Sequence, residues 1–170
     1  MASGLPRMRG RSEHSLDDKG RVIIPQRFRD TLGDEFMLVT GPGPCLRIYP
    51  MAVFAKMEEE LESSGVLDEA NADKQMLQRL FYNGDVASLD QQFRLTLPKA
   101  LRNWGGFGRQ ENETVIIIGM GEKLELWSHA SWEAYSDGFN TATTTEASNR
   151  LRNAVFADAS ADARRPANEA

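Results

Sequence analysis

The sequence is poor in the residues that carry enzyme chemistry. Its single cysteine, Cys45, rules out an internal disulfide, and a nucleophilic thiol would need a histidine base that the sequence does not place beside it. Cys45 therefore reads as a small core residue, in keeping with a reducing compartment. The two histidines, His14 and His129, lie far apart and stand in no metal-ligand spacing, so both read as surface or structural groups. No apolar run approaches the roughly 18 residues of a membrane span. The arginines of "MASGLPRMRGRSEHS" are followed by no apolar segment of the kind a secretory signal needs. "GPGPC" and "GMGE" lack the Lys-Ser/Thr pair that completes a phosphate loop, and hairpin turns explain them. The expectation is a soluble cytoplasmic protein with no catalytic activity, no cofactor, no metal and no small-molecule substrate.

Positive charge is also scarce overall, with 20 Lys/Arg against 25 Asp/Glu and a net charge of −5. Its distribution says more than its sum. Residues 1–29 hold seven basic and three acidic side chains, net +4; residues 30–88 hold four and eleven, net −7. Residues 89–109 hold four and one, net +3, and residues 110–170 hold five and ten, net −5. Exposed cations concentrated in two short segments point to a polyanionic partner.

Those two segments are copies of one phrase. "LDDKGRVIIPQRFR" (16–29) returns as "LDQQFRLTLPKALR" (89–102), with Asp17 and Asp90, Arg21 and Arg94, and Pro25 and Pro98 all 73 positions apart. Each copy predicts a turn, a short strand ("RVII", "RLTL") and a short helix opened by the proline. Gly33 and Gly105 are placed to cap the two helices. Further on, "FMLVTGPGPCLRIYPMAVF" (36–54) aligns with "TVIIIGMGEKLELWSHASW" (114–132) at an offset of 78, pairing Gly41 and Gly43 with Gly119 and Gly121. That alignment implies five residues inserted in the second copy. "LRIY" and "LELW" alternate as half-buried strands do. A unit of about 45 residues cannot bury enough apolar surface to fold alone, so the copies are expected to complete each other's sheet as a pseudo-two-fold module.

The predicted organisation is an N-terminal arm (1–10), a first repeat (11–54), a helical linker (55–84), a second repeat (85–132), C-terminal helices (133–156) and a disordered tail (157–170). In the linker, Phe54, Met57 and Leu61 share a helical face opposite the cluster Glu58–Glu62. Met76, Leu77, Leu80 and Phe81 do the same in a second helix. The Ala/Asp-rich end has nothing to bury.

The doubled Asp-x-x-x-Arg, Asp17…Arg21 and Asp90…Arg94, each followed by proline and then by "GPGPCLRIYP" or "LELWSHASW", closely resembles the bacterial MraZ proteins. The resemblance runs from about Arg9 to Phe139. These are transcriptional regulators built from tandem SpoVT/AbrB-type domains. The resemblance implies a mixed β/α fold, a swapped-hairpin AbrB-like β-barrel formed by both repeats with amphipathic helices packed on it. It implies a ring-shaped homo-oligomer on the nucleoid that binds double-stranded DNA at tandem promoter repeats. It also implies repression of the division and cell-wall gene cluster, the protein's own gene included. Carried over by position, the DNA-facing loop is Asp17–Arg21, with Arg21 the essential arginine and Lys19 and Gly20 beside it. Residues 1–7 precede the usual family start at Met8 and look like an extension or a misplaced start.

From the residues themselves, Arg9, Arg11, Lys19, Arg21, Arg27 and Arg29 are the cations available to phosphates and base edges. Arg21, entering a strand from a tight turn, is the best groove contact, and Arg27 and Arg29 suit phosphates or ion pairs. Asp17 and Asp90 suit turn hydrogen bonds, and Arg94 a carboxylate partner. At the second loop tip Gln92-Phe93 replaces Lys-Gly, and because a bulky residue resists positive φ, copy two is not expected to meet DNA as copy one does. Two other functions stay open: a protein-interaction scaffold for acidic partners, and an antitoxin-like AbrB-fold regulator, which would carry one repeat per chain.

Overall fold

The computed structural model describes residues 7–63, 72–139 and 141–162. The first repeat contributes β1 (Met8–Ser15), β2 (Arg21–Ile23), α1 (Gln26–Leu32), β3 (Phe36–Thr40) and β4 (Cys45–Pro50). Helices α2 (Met51–Ser63) and α3 (Ala72–Phe81) follow. The second repeat contributes β5 (Gly84–Ala87), β6 (Arg94–Thr96), α4 (Lys99–Gly105), β7 (Thr114–Gly121) and β8 (Leu124–Ser128). Helices α5 (His129–Ser136) and α6 (Thr141–Asp162) end the described chain. It divides into two compact units, one ending at Trp132 and the other starting at Glu133.

The fold is mixed α/β, and its strands are shared between the repeats. A six-stranded antiparallel sheet runs in the order β1-β7-β8-β4-β3-β5, and β2 pairs only with β6. The hairpins β3–β4 and β7–β8 are internal to each copy, whereas β1 pairs along β7 and β5 along β3. Each repeat therefore borrows its outer strand from the other. The pseudo-two-fold axis crosses the sheet between β4 and β8, where Arg47 faces Glu125, and crosses the ribbon where Val22 faces Leu95.

Strands β1 and β5 had no sequence signature. "MRGRSEHS" and "GDVA" lack an apolar alternation because, at the sheet margins, they are held by backbone pairing more than by side-chain burial. Met8 is the exception, buried at 2% exposure, so the segment read as an arm (1–10) already belongs to the sheet from residue 8. Buried Met8 and buried Phe107 close the core at positions without apolar periodicity.

The strand registers correct the alignment of the second block. Leu38 faces Ile48 and Ile117 faces Leu126, so β3 and β7 are offset by 79 (117 minus 38), while β4 and β8 are offset by 78 (126 minus 48). The insertion before β7 is therefore six residues (79 minus 73), and the second hairpin turn is one residue shorter. Gly41 and Gly43 are not the structural partners of Gly119 and Gly121. Shared glycine composition masked the shift, since a one-residue slip exchanges the faces of a strand. The second short helix ends one residue later than its sequence suggests, at Gly105, with Gly106 as its left-handed cap at φ 69°.

Both faces of the sheet are covered, which is why β8 is buried along its whole length instead of alternating. One face packs on the ribbon and on α1 and α4, through Leu38, Leu46, Ile48, Ile117 and Leu126 against Val22, Leu95, Phe28 and Leu101. On the other, Val39 and Tyr49 pack with Phe54 of α2 and Phe81 of α3, whose rings stack 4.5 Å apart. Cys45, Ile116 and Trp127 pack there with Trp132. Met76, expected on the apolar face of α3, is 60% exposed. In the second unit, α6 continues through Asp162, beyond the expected tail boundary at 157, as its alanine content favours. Residues 163–170 of that tail lie outside the described residues.

At the sheet's axis the Arg47 Nε and Nη2 donate to Glu125 Oε1 at 3.0 and 2.9 Å, and the Trp127 Nε1 donates to Oε2 at 3.2 Å. Glu125 is only 8% exposed, so removing its cation strands a buried charge. Arg47→Met should cost about 3 kcal/mol. Arg47→Met/Glu125→Leu should recover most of that loss in urea denaturation.

Candidate nucleic-acid interface

The ribbon carries the two copied loops at its ends. Asp17 Oδ1 accepts the backbone N–H groups of Lys19 and Arg21 at 3.0 and 2.9 Å, and Oδ2 accepts Arg21 Nε at 2.7 Å. Asp90 repeats this, accepting from the Gln92 and Arg94 backbone at 2.9 Å each and from Arg94 Nε at 2.8 Å. The main chain closes each turn the same way, Gly20 N–H to Asp17 O and Phe93 N–H to Asp90 O. One carboxylate thus shapes the turn with one oxygen and aims an arginine with the other. These contacts hold both carboxyls below the usual range, chiefly through the Arg21 side chain at Asp17 and the Arg94 backbone N–H at Asp90.

Between the loops, alternation decides what faces outward. Val22, Ile24, Leu95 and Leu97 point into the core, so Arg21, Ile23, Arg94 and Thr96 form the outer face. Arg21 lies across from Thr96 and Ile23 across from Arg94. Lys19 is exposed at the first loop tip. An antiparallel two-stranded ribbon of this kind is one of the two elements that a major groove admits.

The tip geometry differs from what the sequence predicts. Phe93 has φ 59°, in the same left-handed region as Gly20 at 74°. The second loop therefore keeps the shape of the first, although a side chain there costs about 1–2 kcal/mol. The Arg29 guanidinium lies 3.9 Å from the Phe93 ring centroid, and its Nε donates to Ile24 O at 2.8 Å. At the symmetry-related place Arg102 covers Gly20, where an added Cβ would stand 2.8 Å from Nη1. Arg29 and Arg102 are 73 positions apart, so the repeat offset marks this exchange of ring for guanidinium in advance.

The remaining expected cations gather elsewhere. Arg27 Nη2 donates to Arg11 O at 3.0 Å and packs against Gly10, on α1 and the edge strand β1. Arg11 pairs with Glu13 at 2.6 Å and lies 5.4 Å over Trp132. Arg9 is exposed on the same strand. Arg27 thus meets the Gly10–Arg11 backbone of β1, the strand that carries Arg9 and Arg11, whereas Arg29 lies against the second loop.

Burial pushes the Cys45 thiol up to about 12, which favours the protonated sulfur at neutral pH and works against a thiolate there. Half-buried His14 is held below its ordinary range by burial and by Arg27. Among the described residues no group of three or more His, Cys, Asp or Glu could hold a metal, and no helix is long and apolar enough to cross a membrane.

A family model described as "MraZ protein, putative antitoxin-like" matches residues 8–80 and again residues 80–154. The chain belongs to the MraZ family. A "Transcriptional regulator MraZ" of Moorella thermoacetica is 39% identical over 127 residues, 74% of this chain and 84% of that one. One of Kineococcus radiotolerans is 41% identical over 123 residues, 72% and 81% of the two chains. One of Alkaliphilus metalliredigens is 35% identical over 143 residues, 84% and 94%. The two matches of the MraZ model each span one of the repeats that exchange strands. The MraZ relatives are named as transcriptional regulators.

Because the folded carboxyls have depressed pKa values, their contribution is present above about pH 3.9 and is lost as pH falls through the lower folded value. NMR of the arginine Nε–H groups should show Arg21 and Arg94 protected from exchange above that range. Protection should fade only below it, and Asp17→Asn should abolish it at Arg21 alone.

Proposed function

We propose that the outer face of the β2–β6 ribbon binds double-stranded DNA sequence-specifically, with Arg21 as its principal contact and Lys19 and Gly20 completing the first loop. The protein acts in this reading as a cytoplasmic, nucleoid-associated transcriptional repressor of the division and cell-wall gene cluster, its own gene included. It does so as a ring-shaped homo-oligomer on tandem promoter repeats, the strand-exchanged repeats closing as a swapped-hairpin barrel.

The observation that carries the proposal is the pair of arginines fixed on an exposed ribbon. Arg21 commits its Nε and one Nη to Asp17, at 2.7 Å each, which leaves further N–H donors of the guanidinium for guanine O6 and N7 or for phosphate. Holding the fork before contact reduces the ordering cost of binding. Arg9, Arg11 and Arg27 supply flanking phosphate contacts. The acidic run Glu58–Glu62 lies on α2, which packs on the sheet face away from the ribbon, so repulsion from DNA favours one orientation. One module offers few phosphate contacts, and linked modules on successive repeats multiply affinity through effective concentration. The paired repeats within one chain favour this reading over an antitoxin-like one.

Binding to the DNA just upstream of the protein's own gene should show log K falling linearly with log salt, with a slope near −0.9 for each phosphate engaged. Arg21→Ala should remove nearly all binding. No binding at low salt, or a neutral Arg21→Ala, would leave the ribbon without its proposed ligand and turn attention to an acidic protein partner. A particle of 19.0 kDa in solution would exclude the ring.

A further inference from the structure

The ribbon is symmetric in backbone and unsymmetric in chemistry. At one end Arg21 stands opposite Thr96, beside exposed Lys19 and a Gly20 buried under Arg102. At the other, Arg94 stands opposite Ile23, beside Phe93. The repeat offset of 73 relates Ile23 to Thr96 and Phe93 to Gly20, so two polar or absent side chains are replaced by two apolar ones. Ile23 is 45% exposed on the outer face, and Phe93 is 49% exposed at the loop tip.

Core packing does not account for this exposure. Phe93 keeps a left-handed backbone that glycine would adopt without strain, and nearly half of its surface stays open. Its position is nonetheless fixed. The Phe93 carbonyl accepts the Ile24 N–H at 3.1 Å, and Arg29, tethered to Ile24 O, lies over the ring. A rigid apolar surface set next to an arginine pinned on the ribbon matches the thymine C5-methyl group, the one apolar mark that the major groove presents.

We propose that Phe93, at the loop tip next to Arg94, contacts a thymine methyl group adjacent to the base pair met by Arg94, with exposed Ile23 across from that arginine. The second loop is then a specificity element, and Arg29 is its positioning residue. This rests on the ribbon being a DNA-binding face.

The test uses the full-length protein and the duplex upstream of its own gene, with each thymine replaced in turn by deoxyuridine, which lacks only the methyl group. At one thymine the replacement should weaken wild-type binding roughly five-fold. Phe93→Gly should weaken binding to the normal duplex by a similar factor and be indifferent to that replacement. Its melting temperature should be no lower than wild type, and Phe93→Asn, which tolerates the same backbone, should behave alike. Wild-type affinity in both variants overturns the proposal, as do losses from variant and deoxyuridine that simply multiply. If Arg21→Ala abolishes binding while the Phe93 variants bind normally, this inference alone fails. If the wild type binds no DNA, the ribbon proposal fails with it.

Discussion

The β2–β6 ribbon depends on the exchange of β1 and β5 between the two repeats. Without β1 the edge of β7 is unpaired, and without β5 so is the edge of β3. An exposed row of unpaired backbone groups of this kind recruits other chains. The exchange supplies the missing backbone partners within one molecule and brings β2 against β6, where Val22 and Leu95 meet in the core. The ribbon is therefore a product of the pairing of the repeats. Neither copy holds both of its strands.

The same pairing makes the arginines useful. A three-residue strand is too short to orient a long side chain by itself, and the Asp at each loop start supplies the orientation. Its Oδ1 bonds fix the turn and its Oδ2 bond fixes the guanidinium, so fold and aim come from one carboxylate. Because both turns are closed identically, the ribbon presents two pinned arginines in antiparallel register. The partial neutralisation by Asp is the cost of that order, offset by the donors that remain free of the pair.

The parts of this design that rely on side-chain pattern were legible in the sequence. The Asp, Arg and Pro of each copy, the short helices and the apolar β3–β4 and β7–β8 hairpins all carry composition or periodicity. What relies on backbone pairing was not: β1 and β5 are polar or glycine-containing, and nothing in "GDVA" distinguishes a strand from a turn. The hairpin register was hidden as well, because a Gly-x-Gly match survives a one-residue shift that the strand faces do not. In the two loops, the turn bonds of Asp17 and Asp90 and their pairing with arginine were anticipated in kind. The shape of the second tip was misjudged because a local rule, the aversion of Phe to positive φ, yielded to closure of the Asp90 turn. The cation pair Arg29 and Arg102 was visible only as an offset, since which guanidinium meets a ring depends on which loop carries one.

Duplication explains why the two halves diverged where they did. In a homodimer the residues on a two-fold axis face their own copies, so an arginine at position 47 would meet an arginine and a glutamate would meet a glutamate. With two repeats in one chain, Arg47 faces Glu125 instead, and a repulsion becomes a buried, hydrogen-bonded pair. The ribbon ends have the same freedom: Gly20 with Thr96 across from Arg21, and Phe93 with Ile23 across from Arg94. At the axis that freedom serves stability, because an unlike pair satisfies both charges. At the loop tips it brings no comparable gain in the folded state, since Phe93 is strained and exposed. The asymmetry that stability does not reward is the one on which the proposed contact of Phe93 with a thymine methyl group rests, because such a contact is needed at one ribbon end and not at the other.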